Sequence, residues 1–282
     1  MTTPSTAGTP STPVTPTTPG TPTAPGTPTT PGTVPAPGLP GWTWRVEPPD
    51  NWIVVPALAT EGAEDVAAWE REALGAVRAS LRTQYDADAL GLPAEDDEPT
   101  APAKSVEHPE HPAPGVVEPA EPIELDDAGR AALDRAAAES VANLRAFADG
   151  MAADGHRVVA ALGVLGRGPV PVLVAVGASD PADPDDGLLA ALGATGGNPV
   201  SPPTVEYPDL PDGDGVRVTR LDVGGFSGGG WLSIGLGRRT EHDDVVVDTV
   251  LVWRSQDLML GAAMLELLDE LLPAVHVVRT AA

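Results

Sequence analysis

The chain has 282 residues and a formal net charge of -25, from 41 acidic and 16 basic side chains. Such a field repels polyanions, which disfavours nucleic acid and anionic lipid surfaces, while a protein partner, above all a basic one, or a cation is compatible with it. The absence of cysteine excludes disulfides, thiolate metal sites and cysteine nucleophiles together, and a composition 41% hydrophobic but only 4% aromatic implies a modest core of Val, Leu and Ala.

From Met1 to about Pro40 the chain is a Thr/Pro/Gly tract without a charged residue. Proline removes backbone donors and favours extended conformations, so residues 1–40 are expected to form a disordered tail. The tract shows neither a basic n-region nor an apolar h-region, and nowhere do the roughly 18 apolar residues of a spanning helix follow one another. The expectation is a cytoplasmic protein with no membrane insertion, folded as a single domain over residues 41–282.

Trp42, Trp44 and Val46 alternate along one face of a strand, and Trp52 to Val55 resumes it after Pro48-Pro49. Glu61 to Tyr85 has Val66, Trp69, Ala73, Val77 and Leu81 at helical spacing, with acids near its start and Arg78 and Arg82 near its end, as the helix dipole favours. Residues 91–124 are again rich in proline and acids, which predicts a disordered internal loop. This loop holds His108 and His111, the candidate metal ligands, but a flexible segment preorganises no geometry for an ion, and no metal or cofactor is expected.

Asp126 or Asp127 can cap a second helix running to about Met151, with Leu133, Ala137, Val141, Leu144, Ala148 and Met151 as its buried stripe. Arg157 to Leu165 and Val170 to Val176 then read as a hairpin around Gly166-Arg167-Gly168, with Pro171 pointing to an edge or an irregular ladder. Ser179 to Asp214 is loop-rich, with one short helical stretch at Gly187 to Leu192, and its Asp-Gly pairs are turn chemistry. From Val216 to Trp253 three alternating runs form an antiparallel meander. Leu258 to Ala263 reads as a further strand feeding a short helix, because Gly261 weakens a continuous one, and Val275 to Arg279 is extended.

One motif carries catalytic potential. Gly225-Phe226-Ser227-Gly228-Gly229 satisfies G-x-S-x-G, and Asp248 and His276 follow in the order acid, then histidine, of a hydrolase triad. A nucleophile elbow needs a helix directly after the serine, however, and here Leu232, Ile234 and Leu236 alternate as a strand does. Ser227 is then a hairpin residue, and a serine hydrolase is the competing reading to a non-enzymatic one.

The element order, with Leu39-Pro40-Gly41-Trp42, the Asp50 to Pro56 segment and the closing Leu265 to Pro273 helix, resembles small actinobacterial α+β proteins with a PsbP-like sheet. The resemblance implies paired tryptophan-rich strands and a protein-binding or accessory role, in some members beside type VII secretion systems. The expected fold class is α+β, a mostly antiparallel sheet with helices packed on one face.

Overall fold

A computed structural model of the protein describes residues 34–36, 38–89, 124–179, 186–210, 213–223, 229–242 and 245–280. The disorder expected for the tail and for residues 91–124, and the glycine turn at 224–228, fall on stretches outside the described residues, apart from residues 34–36, 38–40 and 124. In chain order the elements are β1 (Val34–Pro35), β2 (Trp42–Val46), β3 (Trp52–Val55), α1 (Ala63–Ala89), α2 (Asp127–Ala152), β4 (Arg157–Ala161), β5 (Val170–Ala178) and α3 (Asp186–Ala191). There follow β6 (Thr204–Glu206), β7 (Asp209–Leu210), β8 (Gly213–Asp214), β9 (Val216–Val223), β10 (Gly230–His242), β11 (Val245–Ser255), α4 (Gly261–Leu271) and β12 (Val275–Arg279). The fold is α+β, and every strand pair is antiparallel.

Seven strands form the central sheet in the order β3-β4-β5-β11-β10-β9-β6, and β1-β2-β12 form a smaller one. Side-chain alternation sorts the rest of the chain onto the two faces of the large sheet. Trp52, Val54, Val172, Val174, Ile234, Leu236, Leu251 and Trp253 face one way, into a core shared with Trp44 and Val46 of β2, Val275 of β12 and Met264, Leu268 and Leu271 of α4. Ile53, Val55, Val158 and Ala160 face the other way and meet α1 and α2. Beside them Val218 and Val250 meet Leu188 and Leu192 at α3.

Helices therefore cover both faces rather than one. The physical reason is already in β4, whose five residues are all buried. Its apolar run from Val158 to Ala161 marks a strand sealed on both sides. The stripes expected for α1 and α2 are the ones that bury, except that Met151 at the end of α2 is only half-buried. Asp126 caps α2, its carboxylate accepting from the Gly129 N–H at 2.7 Å. Because α1 continues to Ala89, Arg78 stands in its middle and pairs with Asp134 of α2 at 2.9 Å instead of serving the helix dipole. At the other end of this layer Glu61 bridges Arg157 at 3.0 Å. Burial raises the Glu61 carboxyl and lowers the Arg157 guanidinium, so desolvation outweighs attraction for both.

Other expectations change on folding. The two tryptophan-bearing strands do not pair with each other. Asn51, at φ 66°, lies in the turn after Pro48-Pro49, and that turn carries the chain from the small sheet into the large one. Folding also starts before Gly41, since β1 pairs with β2 and Ala36 and Leu39 are buried. Pro171 sits in an inner strand, but the β11 ladder reaches β5 only from Leu173 onward, which leaves its missing N–H harmless on that side.

Residues 258–263 are helical, a 3-10 turn at Leu258–Leu260 running into α4, and form no strand. Asp257 caps the turn through the Met259 N–H at 3.2 Å. Gly261 helps this helix dock, because a Cβ there would stand 2.7 Å from Leu232 Cδ2. Close approach to β10 outweighs the propensity penalty of about 1 kcal/mol.

Gly235 shows the same device on the opposite face. A Cβ there would lie 2.4 Å from the Leu192 carbonyl oxygen and 2.9 Å from its Cα, both backbone atoms that a rotamer change cannot move. Gly235→Ala is expected to lower stability by about 1–3 kcal/mol, the usual cost of overpacking. Alanine is otherwise the better strand residue, so an upward shift of the urea midpoint would show that α3 is not seated on β10.

Candidate functional site

Of the residues nominated for a triad, Asp248 and His276 stand in different sheets, each with another partner. Ser227 lies outside the described residues, but Val223 and Gly230 on either side of its turn are register partners in β9 and β10. The G-x-S-x-G segment thus joins two antiparallel strands, where a nucleophile elbow joins a strand to a helix. Asp248 lies between Val247 and the buried Thr249 and so points away from the core they share with α4. There it forms a two-point pair with Arg239, Nε to Oδ1 at 2.7 Å and Nη2 to Oδ2 at 2.8 Å. His276 belongs to the small sheet across the large one, with its Nε2 3.4 Å from Glu47 Oε2. His108 and His111 lie outside the described residues. Among the described residues no group of three or more His, Cys, Asp or Glu could hold a metal ion, and no helix is long and apolar enough to cross a membrane.

Another set of residues is gathered at the free end of the large sheet. Along β9, Arg220 and Asp222 point to the α3 side, where Arg220 Nε and Nη2 donate to Asp222 Oδ2 at 3.0 and 2.8 Å. Arg220 Nη1 also donates to the carbonyls of Gly193 and Thr195, at 2.7 and 2.9 Å. Asp222 Oδ1 accepts from the Asn198 N–H at 3.2 Å. The pair therefore clamps the chain that leaves α3 onto the last strands of the sheet.

Gly197 completes the clamp. Its φ is +65°, and a Cβ on it would fall 1.9 Å from Arg220 Nη2. Charge-assisted bonds from Arg220 hold the Asp222 carboxyl below the usual carboxylate range, against the upward push of burial. Arg254 adds a second cation 3.7 Å from Asp222 and lies 5.1 Å over the Trp231 ring.

The clamp fixes the course of the sheet edge. Val200 N–H donates to the Leu221 carbonyl at 2.8 Å and Val223 N–H to Asn198 at 3.0 Å, which lays residues 198–200 along the end of β9. Farther on, β6 pairs with the start of β9 as Thr204↔Thr219, Val205↔Val218 and Glu206↔Arg217. It is the last strand of the sheet, and its three residues are all exposed. Val200 is 59% exposed, Val205 39% and Tyr207 74%. These are large apolar groups left in water at one border.

Acids surround them. Glu206 is exposed within β6, and Asp209 and Asp214, both exposed, face each other across the small β7-β8 pair. Arg217, the nearest cation, is largely buried and shared between Asp269 of α4, which it contacts through Nη2, and Glu206 at 3.5 Å. The accessible charge beside β6 itself is negative, while the half-exposed Arg254 stands at the Asp222 end of the border. Sequence reasoning placed residues 198–214 in loop and turn. A three-residue strand between prolines has too few alternations to read, and Asp-Gly pairs look the same in any turn.

No family model, curated protein or solved structure matches the chain.

Proposed function

We propose that the protein is a non-enzymatic protein-binding module whose partner is basic. The observation that carries this reading is the border formed by residues 198–207, where Val200, Val205 and Tyr207 stand exposed beside Glu206. Large apolar side chains exposed beside charge along one sheet edge suit an interaction surface. The net charge of -25 gives long-range attraction for a cationic partner and speeds its encounter. An accessory role of the kind suggested by the resemblance to small actinobacterial α+β proteins belongs to the same reading.

The test uses the full chain as bait in an extract of its native host, beside a variant with Val200→Ser, Val205→Ser and Tyr207→Ser. A basic protein retained by the wild type, lost from the triple variant and released by salt is the expected result, followed by titration of the purified pair. Equal retention of every protein by the two baits, in the presence of an unchanged circular dichroism spectrum, would overturn the proposal. Salt release is expected because charge attraction is screened over about 8–10 Å at physiological ionic strength.

A further inference from the structure

We infer that the border works by strand addition: an extended basic segment of the partner pairs with residues 204–207 as an eighth strand of the large sheet. The inference rests on the reading of the chain as a protein-binding module and states how and what it binds. An edge strand presents a row of backbone donors and acceptors on its outer side, and β6 holds that position with all three residues exposed. Its register is framed by Pro202 and Pro203 before it and Pro208 after it, none of which has an N–H to donate. Pairing is thereby confined to four residues, about 13 Å of strand.

Alternation gives the chemistry of the added strand. Val205 shares its face with Val218, on the α3 side, while Thr204 and Glu206 share theirs with Thr219 and Arg217. A partner strand therefore meets Val205 with one set of side chains and Glu206 with the other. β-branched apolar residues suit the first, and Lys or Arg suits the second, because opposite charges across strands attract. Tyr207, 74% exposed, adds an aromatic face for an aliphatic stem or a cation. A second copy of this chain is the poorer occupant, since each copy brings a charge of -25 and its own Glu206, Asp209 and Asp214 to the junction.

The probe is a labelled synthetic octapeptide of alternating Lys and Val, titrated into the full chain by fluorescence polarisation. Its comparators are the same peptide N-methylated at every backbone amide, which keeps charge and side chains but removes the strand donors of both edges, and a Glu-for-Lys version. The unmodified peptide is expected to bind, to protect from hydrogen exchange those amides of residues 204–207 that point away from β9, and to bind less to Glu206→Gln. N-methylation is expected to weaken it about tenfold, the equivalent of one or two net hydrogen bonds, and the acidic version is expected not to bind. Equal binding of the methylated peptide, protection confined to other segments, or a peptide-free dimer protected at these same amides would each overturn strand addition. So would failure of the Lys-Val peptide to bind while the host extract yields a basic partner, a result that leaves the protein-binding reading standing. Failure of both the peptide and the extract overturns that reading as well.

Discussion

Trp44→Ala is expected to lower the stability of the protein by about 3–5 kcal/mol, the range for truncating a large buried aromatic. Trp44 is fully buried in the core between the two sheets, at the centre of β2, with β1 paired on one side and β12 on the other. Its ring also lies 5.7 Å beneath the Arg157 guanidinium at the start of β4. The side chain therefore holds the small sheet against the large one and helps neutralise a buried cation. The close-packed side chains around it can relax only partly into the space it would leave. Urea unfolding followed by far-ultraviolet circular dichroism measures the loss, and Trp44→Phe, which keeps much of the apolar area, is expected to lose less. A cost below about 1 kcal/mol would mean that the small sheet does not pack where this structure has it.

Asp222→Asn is expected to cost about 3 kcal/mol at neutral pH, because it strips a nearly buried guanidinium of its carboxylate while leaving the guanidinium in place. Arg220 would keep the carbonyls of Gly193 and Thr195 but lose the anion that balances it. The Asp222 carboxyl titrates below its unfolded value of about 4. For a depressed carboxyl the stabilisation is fully present above the unfolded value and is lost as pH falls through the folded one. The stability gap between wild type and Asp222→Asn should thus be widest near neutrality and close as the pH drops below about 4. A gap independent of pH would show that the clamp does not depend on charge. The same variant should loosen residues 193–200, so faster amide exchange at Val200 and Val223, whose N–H groups hold that segment to β9, is the local signature.

The clamp and the edge illustrate different degrees of legibility. The valine alternation of β5, the capped stripe of α2 and the meander from β9 to β11 are written in local spacing, because a side-chain period of 2 or 3.6 is a property of the backbone itself. Doubt about the G-x-S-x-G motif was likewise local: Leu232, Ile234 and Leu236 alternate directly after it. Nothing local tells Asp248 that its partner is Arg239 rather than a histidine. That choice depends on which strands become neighbours and in which register.

By itself the sequence determined an α+β chain with a strongly acidic surface, its main helices and strands, and the exclusion of cysteine chemistry. Only the tertiary structure decided that helices cover both faces of the sheet, that β2 and β3 belong to different sheets, and that residues 258–263 join α4. It also decided that Arg220, Asp222 and Gly197 close into one clamp and that β6 is the open border. The reason is common to all five. Each depends on contacts between segments distant in the chain, such as Leu192 against Gly235 or Leu232 against Gly261, whose packing energies exceed the propensity differences that a short stretch of sequence can display.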